Sequence, residues 1–255
     1  MKPATERFSD RVDNYVRYRP SYPPALLDLL ERECGLGPGA VVADVGAGTG
    51  IFSRLLLERG ARVLAVEPNA AMRAAAEQLL SGSPGFASVA APAEATGLAD
   101  GSVDIVTAAQ AFHWFDRERA RHEFRRILKP GGWTVLIWNE RVVDTTPFLR
   151  EYEQLLQDYA PEYGIVDHRN IGPEQVAEFF APAPVAFRSF PNYQRLDFDA
   201  LKGRLLSSSY APVPGHPNHE PMLEALRRSF DRHQIDGTVT LEYQTRVFYG
   251  RFDRS

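Results

Sequence analysis

Val41-Val42-Ala43-Asp44-Val45-Gly46-Ala47-Gly48-Thr49-Gly50 is the stretch on which the rest of the chain depends. Its first half, with Ala40 ahead of it, is apolar, β-branched and unalternating, as a central parallel strand buried on both faces requires. Its second half removes Cβ atoms at Gly46, Gly48 and Gly50, where the chain has to turn sharply and a ligand has to approach the backbone. Ile51-Phe52-Ser53-Arg54-Leu55-Leu56-Leu57-Glu58-Arg59 follows, with apolar residues 51, 52, 55 and 56 at helical spacing, closed by Gly60. The unit is strand, glycine loop, helix. A second apolar strand, Arg62 to Val66, ends in Glu67, which stands 67 − 48 = 19 positions after the middle glycine. A carboxylate at the tip of that strand suits a ribose, because it accepts hydrogen bonds from both hydroxyls of the sugar.

The glycine spacing narrows the ligand. A dinucleotide fold uses G-x-G-x-x-G and a helix N-terminus to hold a pyrophosphate. Here Gly46, Gly48 and Gly50 run G-x-G-x-G, with Asp44 two residues upstream. Asp44 would repel a pyrophosphate and suits an ammonium group, so a nucleoside without phosphates is favoured. The plainer alternative is a glycine turn in an α/β protein that binds something else.

Composition bounds the rest. The 255 residues fit one domain with at most a modest insertion, and an apolar fraction of 44% fills a core of that size. With 29 Lys+Arg against 33 Asp+Glu, the formal charge of −4 gives no general attraction for phosphate backbones or anionic membranes, so neither nucleic acid nor membrane is an expected partner. Cys34 is the only cysteine, which rules out an internal disulfide and suits a reducing compartment. No apolar run approaches membrane-spanning length, and Met1 to Asp10 is too polar for a secretory signal. A cytoplasmic protein is expected.

Working outward, Pro24 to Gly35 predicts an amphipathic helix with Leu26, Leu27, Leu29 and Leu30 inward. Asn69 is a suitable N-cap for a helix from Ala70 to Leu80 whose buried stripe is Met72, Ala76 and Leu79. Strands are expected near Phe86 to Ala90, Val103 to Ala108 and Trp133 to Trp138, with a helix capped by Asp116 and running to Leu128. Beyond residue 140, Thr146 to Tyr159 and Pro173 to Phe180 read as helices, and Val185 to Leu196 and Thr238 to Phe252 as strands. Between those strands, Phe198 to Ile235 holds two helical stretches around Ala211-Pro212-Val213-Pro214-Gly215-His216-Pro217, as expected of a lid.

Several of these landmarks together resemble the class I S-adenosylmethionine-dependent methyltransferases, and within them the type 11 small-molecule group, which includes trans-aconitate methyltransferase-like proteins. The resemblance rests on residues 42–50, Val66-Glu67-Pro68 with Met72, Ala93-Glu94, Asp104-Ile105-Val106 leading to Ala109-Gln110-Ala111-Phe112-His113-Trp114, and Leu128-Lys129-Pro130-Gly131-Gly132, in the family's order over about residues 8 to 140. It implies a Rossmann-like, seven-stranded, mostly parallel sheet with helices on both faces, an antiparallel C-terminal strand pair and a helical lid. One domain over 1–255 is expected: an N-terminal cover (1–23), a cofactor-binding core (24–140) and a substrate side (141–255).

The resemblance further implies S-adenosylmethionine as cofactor, leaving as S-adenosylhomocysteine, and a cleft made by Asp44, Gly46, Ala47, Gly48, Glu67 and Pro68. The N-terminal cover brings Tyr15 or Tyr18 near the sulfonium and Arg19 to the cofactor's carboxylate. Met72 touches the adenine or is simply core, and Ala93 and Glu94 read its edge, although Pro92 stands where relatives often carry Asp. Ala109 and Gln110 leave the fourth strand at the edge where ligands of open α/β sheets sit. His113 is the catalytic candidate, as a base near neutral pH or as a residue that only shapes the pocket; Trp114 and Phe115 read as packing. The acid and Asp-Asn pair of metal-dependent catechol-type enzymes are absent, so no metal is expected. Arg204, Ser207, Ser208, Ser209 and Tyr210 are candidate substrate contacts, and a carboxylate acceptor would need a cation from Arg141, Arg195 or Arg204. The expected reaction is in-line methyl transfer to a small molecule. The alternatives are an adenosylmethionine-binding regulator, a catalyst of another reaction and, on a similar sheet, an NAD-dependent oxidoreductase.

Overall fold

The computed structural model describes residues 12–164 and 171–252, so the start of the expected N-terminal cover, Phe8 to Arg11, lies outside the described residues. The chain opens with α1 (Val12–Tyr18) and α2 (Pro24–Cys34). There follow β1 (Val41–Val45), α3 (Ile51–Glu58), β2 (Arg62–Val66), α4 (Ala70–Leu80), β3 (Phe86–Val89), β4 (Val103–Ala109), α5 (Arg117–Ile127) and β5 (Leu128–Arg141). The remainder is α6 (Pro147–Tyr159), α7 (Pro173–Phe180), β6 (Val185–Leu196), α8 (Phe198–Leu206), α9 (His219–His233) and β7 (Val239–Gly250).

The strands form one sheet in the order β3-β2-β1-β4-β5-β7-β6. β1 to β5 are parallel, and β7 runs antiparallel between β5 and β6. β1 is therefore where the order reverses: β2 and β3 are added on one side and β4 and β5 on the other, and such a switch point leaves a crevice at the C-terminal ends of the strands. Strand alternation divides β1 between two cores. Val42 joins Ile105 with Leu26, Leu30, Phe52 and Leu56 on one face, while Ala43 and Val45 join Val106, Phe112, Phe124 and Ile127 on the other. A third core, with Tyr152, Leu156, Leu201, Leu205, Met222, Leu226 and Tyr243, lies under α6, α8 and α9.

Local chemistry explains most element ends. Asn69 Oδ1 accepts from the N–H groups of Ala71 and Met72, both at 3.0 Å, and starts α4. Gly35 closes α2 in the left-handed region at φ 73°. One boundary differs from the sequence expectation. β5 begins at Leu128 rather than Trp133, because its pairing with β4 jumps from Val103↔Leu128 to Ile105↔Trp133 and the Lys129-Pro130-Gly131-Gly132 segment is extruded as a bulge. β5 also runs on through Asn139 to Arg141, opposite Tyr243 of β7, so the boundary expected at 140/141 falls inside a strand. No helix among the described residues is long and apolar enough to cross a membrane.

Candidate functional site

A cleft of about 1150 Å³, including its solvent-facing mouth, opens at the switch point between α1, the C-terminal ends of β1, β2 and β4, and the start of α3. Tyr15, Arg19, Asp44, Gly46, Ala47, Gly48, Glu67, Pro68, Met72, Ala93, Glu94, Ala109 and Gln110 all line it. Residues far apart in sequence thus meet around one space.

The glycine loop and Glu67 build one wall. The N–H groups of Gly46 and Ala47 both donate to the carbonyl of Val66, at 2.8 and 3.1 Å, folding the loop over the end of β2. Gly46 sits at φ +72°, and a Cβ there would lie 2.4 Å from that of Ala111, so the loop passes too close to the β4 exit for any side chain. Glu67 Oε2 accepts from Gly48 N–H at 2.9 Å and its Oε1 from Asn69 N–H at 2.8 Å. Desolvation raises the Glu67 pKa above the usual carboxylate range, and these two N–H groups oppose that rise. A carboxylate offers about four lone-pair sites, so two remain for a ligand.

Asp44 forms the floor. It is 1% exposed, and its oxygens accept from Ser53 Oγ at 2.6 Å and Thr107 Oγ1 at 2.8 Å. One acid thereby ties β1 to α3 and to β4. Burial pushes its pKa up to about 6, against the lowering effect of those two hydroxyls.

The opposite wall comes from the exits of β3 and β4. Glu94 accepts from Asp116 N–H at 2.8 Å, which joins its loop to the N-cap of α5. Gln110 holds a left-handed backbone at φ 58°, rare for a residue with a side chain. Its N–H donates to Ile137 O at 2.8 Å and its Nε2 to Asn139 O at 3.1 Å. A strained residue pinned from both ends at a cleft is a common feature of binding sites.

His113 is not among the lining residues. It lies in the 3-10 turn Phe112–Trp114, and its neighbours Trp114 and Phe115 form cleft wall instead. The cleft wall here is Trp114 and Phe115, which the sequence reads as packing, with His113, the catalytic candidate, between Phe112 and Trp114 in the adjoining turn. Tyr22, Phe52, Asn69 and Asn139 also line it and were not singled out from the sequence as site residues. Asn139 carried a visible signal, a lone amide at the end of the fifth strand; Tyr22 and Phe52, packed edge to face at 4.9 Å, carried none beyond apolar spacing.

Among the lid candidates, Arg204, Ser207 and Ser208 are buried but do not line the cleft. Of the three, Ser207 is joined to the cleft by Arg19, whose Nη2 donates to Ser207 O at 2.8 Å and whose guanidinium lies 4.7 Å from the Tyr15 ring centroid. Arg195 is exposed, donates to Thr238 Oγ1 at 2.7 Å and does not line the cleft.

Residues 43–136 match the type 11 family model described as a methyltransferase domain. An uncharacterized methyltransferase of Mycobacterium tuberculosis is 43% identical over 136 residues, 52% of either chain, so the match spans about half the length of that relative. An uncharacterized methyltransferase-like protein of Schizosaccharomyces pombe is 29% identical over 250 residues, 94% of this chain and 93% of its own. A solved structure from Anaeromyxobacter dehalogenans, named provisionally as a type II methyltransferase, superposes with a TM-score of 0.67 at 28% identity, covering 92% of this chain and 98% of that one. The Haemonchus contortus phosphoethanolamine N-methyltransferase 2, solved with S-adenosylhomocysteine, shares the fold at a TM-score of 0.56 and 15% identity, over 96% of this chain and 58% of its own.

Proposed function

We propose, from the premise that the chain belongs to the class I S-adenosylmethionine-dependent methyltransferases, that it transfers the methyl group of S-adenosylmethionine to a small-molecule acceptor without a metal. Glu67 carries the reading. Its carboxylate is fixed by two backbone N–H groups at the tip of β2 and keeps acceptor capacity toward the cleft, as a ribose diol requires.

The other lining groups fit the same ligand. Three acids, Asp44, Glu67 and Glu94, face the cleft, which suits a cationic nucleoside and opposes a pyrophosphate. Arg19 brings a guanidinium whose buried Nε has no partner, a donor for the carboxylate of the methionine end. Met72, Pro68 and Ala93 supply apolar surface for the adenine.

Bound there, the cofactor supplies the reactivity, an electrophilic methyl on a sulfonium. The chain has to align the acceptor and exclude water, and alignment of this kind is worth roughly 7 to 11 kcal/mol. Tyr15, Arg19 and Pro20 roof the cleft and Trp114 and Phe115 narrow it, which supports a small acceptor rather than a macromolecule. The proposed reaction gives His113 no proton to carry. We read the setting as cytoplasmic, on the net charge of −4 and the single cysteine.

The test is calorimetric titration of the protein with S-adenosylmethionine, S-adenosylhomocysteine and NADH, beside a Gly48→Arg variant. Gly48 has φ +57° and its Cβ would face Met72 Cε at 3.7 Å, so an arginine there fills the cleft. Binding of the first two ligands, lost in the variant, is expected; preference for NADH, or no binding of either, rejects the reading.

A further inference from the structure

The stretch between α1 and α2, residues 19–23, is in neither helix nor strand, and Pro20 and Pro23 have no N–H to give. Backbone of this kind takes its position from groups that reach it from elsewhere. Together with the end of α1 it forms a strap over the cleft, to which Tyr15, Arg19, Pro20 and Tyr22 contribute wall. The position of the strap therefore decides how the cleft closes, and with it where the guanidinium of Arg19 sits.

Among the described residues, three side-chain amides hold the strap by its carbonyl oxygens. Ser21 O accepts from Asn192 Nδ2 of β6 at 2.7 Å and from Asn139 Nδ2 of β5 at 3.2 Å. Tyr18 O, three residues back, accepts from Gln194 Nε2 at 3.0 Å. Asn192 and Gln194 are two apart on β6 and so share one face of that strand. Both reach more than 170 positions back along the chain, from the outermost strand of the sheet to the roof of the cleft.

The amides are themselves fixed. Asn192 Nδ2 also donates to Asn139 Oδ1 at 3.2 Å, and Asn192 Oδ1 accepts from Tyr193 N–H at 2.9 Å. Turning that amide over would set its NH2 against the Tyr193 N–H, so the network itself assigns the donor to Ser21 O. Asn139 Oδ1 accepts from Thr245 Oγ1 of β7 at 2.6 Å as well, and Gln194 Oε1 from the Tyr243 hydroxyl at 2.8 Å. Asn139 lines the cleft, whereas Asn192 and Gln194 do not. Nor does β6 depend on those two side chains to stay in the sheet, since it pairs with β7 from Val185↔Gly250 to Leu196↔Val239. What they add is the hold on the strap.

We infer that Asn192, seconded by Gln194, is a positioning residue for the methyl donor: without touching the ligand, it acts through Ser21 O to hold the strap over it, and so sets how long the ligand stays bound. The inference rests on the methyl-transfer reading above, which supplies the ligand. It gives the antiparallel edge pair a part in holding the cofactor, although β6 lies four strands away from β1 in the sheet.

The experiment follows release of S-adenosylhomocysteine from the full chain by stopped-flow displacement, because a release rate is read from folded molecules and does not register a loss of folded fraction. Asn192→Ala and Gln194→Ala should each raise the rate about three- to tenfold, as expected for loss of a hydrogen bond between neutral groups. Ser189→Ala is the control. It also deletes a side-chain hydrogen bond of β6, to Gln244 Oε1 at 3.0 Å, but on the opposite face of the strand, and should leave the rate within about twofold. Asn192→Asp keeps the size and the acceptor for Tyr193 N–H but turns a charge toward two acceptors, so at pH 7 it should release the ligand faster still. As the pH falls toward about 4 the carboxyl regains an O–H to donate, and the ratio of its rate to that of the parent should fall with it. A strand that is merely loosened shows no such return.

An unchanged rate in Asn192→Ala, or an equal rise in Ser189→Ala, overturns the assignment whatever happens to the melting temperature; should Asn192→Ala not fold, Gln194→Ala decides in its place. Failure of S-adenosylhomocysteine to bind the unaltered chain is a separate result that rejects the methyl-transfer reading. Hydrogen exchange of the 18–22 amides in the unloaded chain then decides the hold on the strap by itself, faster in Asn192→Ala than in the parent if the amide holds it and equal if it does not.

Discussion

The wall of the cleft built by β1, β2 and β4 is made of acids held by backbone and by short hydroxyl side chains. The region behind its roof, contributed by β5, β7, α8 and the end of α1, is made of arginines held by tyrosines. In the first, every acid has its donors within the same strand-loop-helix unit or its immediate neighbours: Glu67 has Gly48 and Asn69, and Asp44 has Ser53 and Thr107. In the second, Arg19 depends on Ser207, 188 positions away, and Arg204 divides its donors between Tyr243, 39 positions away, and Ser208, four positions away. The acidic wall is held by backbone N–H groups and hydroxyls around one ligand space, whereas the arginines are held largely by tyrosine and serine oxygens.

Glu67→Ala breaks the acidic wall with the largest effect. It removes the acceptor of two backbone N–H groups and the proposed partner of the ribose, and hydrogen bonds to charged groups are worth about 1.5 to 3 kcal/mol each. Affinity for S-adenosylhomocysteine should fall at least about 100-fold by calorimetry. A loss under tenfold would mean that Glu67 only shapes the loop.

Asp44→Asn comes next and separates ligand binding from folding. The folded chain holds the Asp44 proton up to about pH 6, whereas an unfolded aspartate releases it near pH 4. Because the folded state binds more protons across that window, stability falls as pH rises from about 4 to about 6, and the full penalty persists at neutral pH. The asparagine carries no such charge, so urea unfolding at pH 7 should show a gain of up to about 3 kcal/mol. The gain should shrink toward pH 4, while affinity for a cationic ligand drops. A variant that is less stable than the parent at pH 7 would show that the two hydroxyl hydrogen bonds outweigh the desolvation of the charge.

The same contrast explains what was legible in the sequence. Residues 41–67 were readable because a buried parallel strand, a turn with positive φ at Gly46, Gly48 and Gly50 and an acid at the next strand end are each dictated locally, by burial, sterics and hydrogen bonding. Arg204 could be noted from the sequence as one of several candidate substrate contacts and cations, without its position. Its burial against Tyr243 depends on β7 inserting between β5 and β6, a long-range pairing without a local signature. Trp114 and Phe115, read from the sequence as packing, line the cleft, and the sequence alone does not separate the two, because an aromatic reads alike whether it fills a core or lines a cleft.

Gly203→Ala tests whether the arginine region depends on the cover. A Cβ at Gly203 would lie 2.1 Å from Cε2 of Tyr18, so α8 packs against the last residue of α1 with no room for a methyl group. Overpacking of this kind costs typically about 1 to 3 kcal/mol. The variant should lose that much in urea melts. Adding Tyr18→Ala should recover most of the stability; a double variant no better than Gly203→Ala would show that the ring is not what the methyl displaces.

The smallest effect separates two adjacent residues at the exit of β4. Trp114 lines the cleft and His113 does not, although the two rings lie 4.8 Å apart between centroids. Trp114→Ala removes an aromatic wall, and aromatic contacts contribute about 0.5 to 1.5 kcal/mol beyond area burial, so affinity for S-adenosylhomocysteine should fall roughly three- to tenfold. His113→Gln keeps a polar side chain of similar reach and should change that affinity by less than about twofold, as substitutions away from a site usually do. A pH profile of binding then refines the comparison. If affinity in the parent chain changes through the ordinary histidine range near 6.5 and the His113→Gln variant abolishes that change, the imidazole communicates with the ligand through Trp114. If the two profiles coincide, His113 is not the titrating group, and Asp44→Asn tests whether the change belongs to Asp44, whose pKa is raised to about 6, or to Glu67, whose pKa is also raised by burial.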